Sequence, residues 1–243
     1  MRAADVESLE RDTVAAVGPR EVLEIGGWLV PLEAGTIGRA KSAAPLRHDL
    51  GPEAIGDIEV AYRARGLPPA FRIVDLPGLA DVRAELTARG YAPEQPTLVK
   101  TGDVGRLAVF SMASARILTQ PDDAWAAVFL GEGFDSADGA YRVAALSRAP
   151  AAAYGAAGED GATQAVGVVS FGAAWAGVHG MRTAPAHRGK GHAGAILAAL
   201  GREAQARGFS RVFLQVEEPN PARRIYRRAG FELAWRYCYW RKA

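Results

Sequence analysis

The sequence predicts a mixed α/β (α+β) protein built as two similar halves. Three observations predict it. Strand-like and helix-like runs alternate along the chain, as layered α/β folds require. Landmarks of the first half recur in the second at an offset of about 140 residues. A glycine-rich turn, Arg188-Gly189-Lys190-Gly191-His192-Ala193, joins a strand-like run to a long helix-like run.

Composition bounds the rest. The 243 residues suffice for one large domain or two of ordinary size, and the 49% apolar content supplies a core. A net charge of +2 gives no global pull toward nucleic acid or a membrane. The five tryptophans lack the basic interleaving of nucleic-acid binders. Cys238 is the one cysteine, so an intrachain disulfide and a cysteine-based zinc cluster are excluded, and no metal is expected. Charged residues such as Arg2, Asp5, Glu7 and Glu10 make the first 20 residues unlike a secretory signal. The longest apolar run, near Ala193 to Leu200, is too short for a bilayer. A cytoplasmic protein is expected.

Taken in order, the pattern predicts a helix over 6–17, ended by Gly18-Pro19. A strand over 24–32, a turn at 33–35 and a hairpin partner over 36–43 follow. A helix over 52–65 stops at Gly66, and a strand covers 71–75. A helix over 79–89 stops at Gly90, and 97–100 is a strand. Gly102, Asp103 and Gly105 mark 101–115 as a connector. The second half opens with a strand at 116–119 and a helix over 124–130, its start set by Pro121 and an Asp122 cap. After a polar loop at 131–139, residues 141–148 are helical, and strands at 151–157 and 165–173 flank a turn. A strand over 175–184 leads to the glycine-rich turn, and the helix beyond it, 193–207, stops at Gly208. A strand over 211–217, a helix over 221–228 and an alternating strand pair over 231–240 complete the chain.

The repeat is carried by landmarks in one order. Ala44-Pro45 answers Ala184-Pro185, and Ala64-Arg65-Gly66 answers Ala206-Arg207-Gly208. Residues 71–75 answer 213–217, and Ala88-Arg89-Gly90-Tyr91 answers Arg228-Ala229-Gly230-Phe231. The halves differ at the glycine-rich turn. There the first half has Leu46 to Glu53, with one glycine, a helix-starting proline and two acids that would repel a phosphate. Leu86 stands where the second half has Tyr226. The expected division is a first domain over 1–108, folded but without the chemistry, and a working domain over 109–243.

The turn carries the clearest chemical signal. Its two glycines let consecutive N–H groups converge. The helix start adds unpaired N–H groups and a positive dipole end. Arg188 and Lys190 add formal charge. Such an arrangement suits a pyrophosphate.

With those residues in place, the second half resembles the general N-acetyltransferase (GNAT) superfamily in element order over roughly 116–243, and in motif over 175–231. Arg188 to Ala193 resembles the family's Q/R-x-x-G-x-G/A loop. Asn220, Ile225-Tyr226 and Gly230-Phe231 resemble its later motif. The tandem form with a degenerate first copy resembles two-domain members, mycothiol synthases among them, although this chain is shorter and no motif marks that substrate. The resemblance implies two GNAT-like mixed, twisted sheets flanked by helices, the C-terminal copy complete. It also implies acetyl-CoA as co-substrate and an amine as acceptor.

The resemblance assigns roles residue by residue. Arg188, Gly189, Lys190, Gly191, His192 and Ala193 hold the pyrophosphate. Met181, Arg182 and Thr183 lie beside the pantetheine arm on a strand that splays open. Gly180 sits at a bulge, and the Met181 N–H is the oxyanion donor. Tyr226 is the general acid, because a phenol is neutral near pH 7 and can pass a proton to a thiolate. Asn220 caps the following helix, alone or with a contact to the pantetheine arm. The base is open between Glu217, His179 and the weaker Glu218, or no protein base at all. Gln215 shares the strand face of Glu217 and is open to orienting substrate. Arg223, Arg224, Arg227 and Arg228 form a solvated helix face, with one of them open to contact with the 3′-phosphate. Acceptor specificity is assigned to 131–148 and to the surface between the halves.

The leading reading is an N-acetyltransferase that moves an acetyl group to a primary amine by direct attack in a ternary complex. A second is transfer of another acyl group, or transfer to a thiol or hydroxyl. A third is a non-catalytic acyl-CoA-binding or protein-interaction module, against which Tyr226 argues. The expected partner is a small-molecule or peptide amine, with no nucleic acid and no membrane, in a monomer or homodimer.

Overall fold

A computed structural model describes residues 2–242. The first half runs α1 (Ala3–Ala15), β1 (Glu21–Ile25), β2 (Trp28–Leu32), β3 (Ala44–Pro45), α2 (Ile55–Arg63), β4 (Phe71–Val74), α3 (Ala80–Ala88) and β5 (Ala92–Asp103). α4 (Val104–Ala108) closes the first half, and the second runs β6 (Arg116–Leu118), α5 (Asp123–Leu130), α6 (Ser136–Ser147), β7 (Ala152–Ala157) and β8 (Ala165–Phe171). It continues with β9 (Ala176–Thr183), α7 (His192–Ala206), β10 (Arg211–Glu217), α8 (Arg223–Arg228) and β11 (Glu232–Arg241). The mixed α/β class, with helices flanking a mixed sheet, is the one the sequence predicts.

The halves do not keep a sheet each, as the sequence reading expected. Eight strands form one sheet in the order β4-β11-β5-β10-β9-β8-β7-β6, beside a three-stranded sheet β1-β2-β3. A parallel bridge from Ala43 to Phe71 links the two sheets. At the centre, β5 of the first half lies between β10 and β11 of the second, and β11 lies between β5 and β4 of the first. Outward from this pair the two sides run alike: β10 pairs in parallel with β9, and β4 meets Ala43 in parallel. The exchange gives both long strands partners on each side and leaves neither as an open edge.

Five local expectations change. The hairpin turns at Gly26-Gly27, both at positive φ, rather than at 33–35. The segment expected as its partner strand holds a 3-10 turn, Gly38–Ala40, and the strand β3 comes later. Residues 231–240, expected as a strand pair, belong to one bulged strand, β11. The connector at 101–115 contains the short helix α4. β5 extends well beyond 97–100 because its prolines, Pro93 and Pro96, precede the stretch that pairs with β10, which begins at Thr97. A missing N–H costs nothing on an edge without a partner.

α1 ties the two halves together. The Asp12 carboxylate accepts hydrogen bonds from the N–H groups of Ala173, Ala174 and Trp175, at 2.9, 3.0 and 2.9 Å. Asp5 pairs with Arg211 of β10 at 2.7 Å. Glu10 pairs with Arg72 of β4 at 2.6 Å, both shut away from solvent, and the Arg72 guanidinium lies 5.3 Å from the Tyr237 ring centre. Removing one partner of a buried pair leaves the other charge stranded. Arg72→Met is therefore expected to cost about 3–5 kcal/mol of stability, read as a lower urea midpoint.

α7 lies across β7, β8 and β9 and buries Ala195, Ile196, Leu197 and Leu200 against them. Each of the larger side chains contributes about 1.5–3 kcal/mol on burial. The helix is thereby fixed with its N-terminus at the C-terminal ends of β9 and β10. No helix of the described residues is long and apolar enough to cross a membrane.

Candidate active site

The site begins where two strands part. β9 and β10 pair in parallel only from Ala176/Val212 to Val178/Leu214, although β9 runs on to Thr183 and β10 to Glu217. Beyond that point the edge of β9 facing β10 is open. On its other edge the register with β8 shifts between Val166 and Val168, opposite Gly180, whose φ is +60°. This is the bulge the sequence reading placed there. It turns Met181, Arg182 and Thr183 toward the opening.

The glycine-rich turn closes one end of the gap. Gly189 and Gly191 have φ of +81° and +87°, and a Cβ built on either would meet nothing within 4 Å. The glycines are needed for backbone conformation and leave open space in front of it. Gly191 is the N-cap of α7, and no side chain caps this helix. Among the described residues, the amides of Gly189 through Ala193 have no hydrogen-bond acceptor in the chain. They stand at the positive end of a 15-residue helix.

A cleft of about 910 Å³ occupies the gap. Met181, Arg182, Thr183, Arg188, Gly189, Gly191, His192, Ala193, Glu217, Asn220 and Tyr226 all line it, so nearly every residue assigned from the sequence meets here. Lys190 does not: its ammonium pairs with Glu159 at 2.7 Å, and only its backbone belongs to the turn. Asn220 Oδ1 accepts from the Ala222 N–H at 2.9 Å and so holds the turn into α8. Of the four arginines of α8, Arg228 alone lines the cleft. The sequence reading missed Phe134 and His187. Phe134 arrives through tertiary packing, on the loop before α6 with the Arg182 guanidinium 4.2 Å from its ring centre, whereas His187 directly precedes the glycine-rich turn.

A second cleft of about 230 Å³ adjoins the first. They share Met181, Arg182, Glu217, Asn220 and Tyr226. The second cleft is walled by Phe129, Arg142 and Leu146 of α5 and α6, and by Arg39, Gln95 and Thr97 of the first half. These are the two regions expected to face the acceptor. Gln95 holds a left-handed backbone, φ +50°, and its Nε2 donates to the Glu217 carboxylate at 2.7 Å. That strain, on the order of 1 kcal/mol or more, aims a first-half amide at the candidate base.

The titratable groups separate clearly. Tyr226 is only 8% exposed, and burial pushes its phenol up to about 12. It is fully protonated at neutral pH. Burial, with the Arg39 charge beside it, pulls His179 from 6.5 down to about 3. Burial opposes the charged form that a base must take on. This removes the reason for casting His179 as the base, although it does line the second cleft. Glu218 pairs with Arg236 at 2.9 Å and lines neither cleft. The Gln215 amide is already engaged, accepting from the Tyr237 hydroxyl at 2.8 Å and donating to Thr13 at 3.1 Å. Glu217 is left as the candidate base.

His48 is pulled down to about 4 by burial and by Arg72. Folded, His48 and His179 stay neutral below 6.5, where the unfolded chain takes up protons that the folded chain refuses. Stability is therefore full above 6.5 and declines as pH falls toward 4. Urea midpoints measured downward from neutral pH should fall, and less steeply in His48→Gln. A flat profile would contradict this.

A family model described as "Probable histone acetyltransferase Rv0428c C-terminal" matches residues 3–240. No curated protein matches the sequence. Among solved structures, a GCN5-related N-acetyltransferase from Kribbella flavida is similar with a TM-score of 0.73 at 18% identity, covering 99% of this chain and 95% of that one. A functionally unknown conserved protein from Staphylococcus epidermidis ATCC 12228 gives 0.67 at 12% identity, with 93% and 94% covered. A tandem GNAT protein from the clavulanic acid biosynthesis pathway, without AcCoA, gives 0.64 at 17% identity, with 99% and 96% covered. At such identities the likeness to these structures is one of fold.

Proposed function

Since this chain belongs to the GNAT superfamily, in the family described as "Probable histone acetyltransferase Rv0428c C-terminal", we propose that it moves an acetyl group from acetyl-CoA to a primary amine. The observation that carries the reading is the junction of two clefts at Tyr226, Glu217 and Met181, one ending on partnerless amides and the other walled by both halves.

The residues present fit the co-substrate. The amides of Gly189 to Ala193, at the start of α7, suit a pyrophosphate, and Arg188 and Arg228 add charge along the same cleft. The open edge of β9 suits an extended arm lying alongside Met181 to Thr183. When bound, acetyl-CoA supplies a thioester carbonyl that a neutral amine can attack. The Met181 N–H donates to the carbonyl oxygen as negative charge builds there. Glu217, oriented by Gln95, takes the ammonium proton directly or through water. Tyr226 donates a hydrogen bond to the departing sulfur, and the thiolate takes its proton from solvent. One C–N bond forms, one C–S bond breaks, and one proton passes from nitrogen to sulfur overall.

The first half acts in this reading as a tandem copy without the chemistry. At the place of the glycine-rich turn, the Glu53 carboxylate lies against Gly51, and the nearby hollow of about 220 Å³ is lined by Glu53 and Asp57. Two acids disfavour phosphate there. The division at 108/109 is then one of role, since the strands cross it. With Arg39, Gln95 and Thr97 supplied by its own first half, a single chain completes the second cleft. A reducing cytoplasm suits a protein whose Cys238 is free.

Thiol release from acetyl-CoA across a panel of primary amines tests the proposal. At least one amine should raise release well above hydrolysis. A silent panel, with acetyl-CoA still bound, would favour a binding module instead.

A further inference from the structure

Among the described residues, one cation in the second cleft makes no ion pair. Arg142 and Arg182 share the Asp138 carboxylate, at 2.7 and 3.4 Å. Arg39, on the 3-10 turn Gly38–Ala40, is half-buried and lines the same cleft, yet makes no ion pair or hydrogen bond among the described residues. Hydrogen-bonding groups gather on its side of the cleft. The Tyr237 and Tyr239 hydroxyls lie 3.3 Å apart, and the end of the Tyr239 ring packs on Gly38 beside Arg39. His179 Nε2 is buried there without a partner.

The cleft thus has two unlike ends. Glu217, Asn220 and Tyr226 mark the end shared with the larger cleft, where an amine would react. Arg39 and the tyrosine hydroxyls mark the other. A guanidinium is a fork that matches a carboxylate with two parallel hydrogen bonds. The volume of about 230 Å³ lies below the range usual for drug-sized ligands, which favours a compact molecule. An unpaired Arg39, with Arg142 and Arg182 sharing one carboxylate, disfavours a polycation such as a polyamine or aminoglycoside.

We propose that the acceptor is a small amino carboxylate, its amine toward Glu217 and Tyr226 and its carboxylate held by Arg39. This rests on the acetyl-transfer reading above and narrows the acceptor within it. Arg39 is then a specificity-determining residue supplied by the half that lacks the glycine-rich turn.

The test uses binding, so it decides even if acetyl transfer fails. Calorimetry on the full chain with CoA present would compare glycine, β-alanine, γ-aminobutyrate and lysine, each against the amine that lacks its carboxylate. At least one amino carboxylate should bind roughly 30-fold more tightly than its partner amine. Arg39→Gln should erase that preference, and Arg39→Lys should keep part of it. If Arg39→Gln does not fold, the wild-type pairs and Arg39→Lys still decide. Equal binding within every pair, tighter binding of the amines alone, no binding by any member, or a preference that survives Arg39→Gln would each overturn the proposal. Turnover of amines that ignores Arg39 and the carboxylate would keep the acetyltransferase reading and sink this one.

Discussion

Tyr226→Phe should lower kcat about 100-fold while leaving the affinity for acetyl-CoA within about twofold. The ring packs at the junction of both clefts, 6.2 Å from the Phe231 ring centre, and phenylalanine keeps that packing. Only the hydroxyl is lost. Burial holds the phenol near 12, so at neutral pH the proton is always present to donate. An ordinary thiol titrates near 8.5, so complete transfer from such a phenol is uphill by several units. The expected contribution is therefore a hydrogen bond that strengthens as charge reaches the sulfur, which affects the rate and hardly affects binding. Rapid-mixing measurement of thiol release, beside calorimetry, separates the two. A variant that loses affinity and keeps its rate would remove Tyr226 from the chemistry.

Gly191→Glu should weaken acetyl-CoA binding at least about 100-fold, the largest binding effect expected of a single change. Space is not the reason, because a Cβ at this position meets nothing. Two other effects act. At φ +87° an L-residue is strained by about 1–2 kcal/mol, and relief of that strain turns the amides away from their common point. The new carboxylate also brings negative charge to the amides proposed to hold a pyrophosphate. Gly191→Ala separates them: it keeps the strain and omits the charge, so it should lose much less affinity. Equal losses would assign the whole effect to the backbone. No loss in either variant would remove the turn as the phosphate site.

Much of the site was legible because it is local. The glycines, the strand before them and the helix after them lie within one short stretch, and so do Asn220 and Tyr226. Short-range periodicity and turn chemistry are enough to read such a unit. The exchange of β5 and β11 was not legible, because strand partners far apart in sequence leave no local mark, and Pro93 and Pro96 disguise the start of β5. The offset between the halves announced a repeat, but not that each half's last strand would cross to the other side of the central pair.

The regions around the second cleft were expected, but its first-half residues were not, for the same reason. Arg39, Gln95 and Tyr239 belong to no motif, and they meet only because the halves interleave. A signal for Arg39 did exist: it follows Gly38, in a segment read as a plain hairpin strand. The error over 36–43 hid its exposure to the cleft. His179 shows the converse. Residue type made it a candidate base, and only the fold shows that burial beside Arg39 opposes its charged form.

Calorimetric titration of the chain with acetyl-CoA tests most directly whether the 910 Å³ cleft is a cofactor site. One molecule bound per chain, with affinity lost in Gly191→Glu, is the predicted result. No heat and no thermal shift, even with the ligand in large excess, would contradict it.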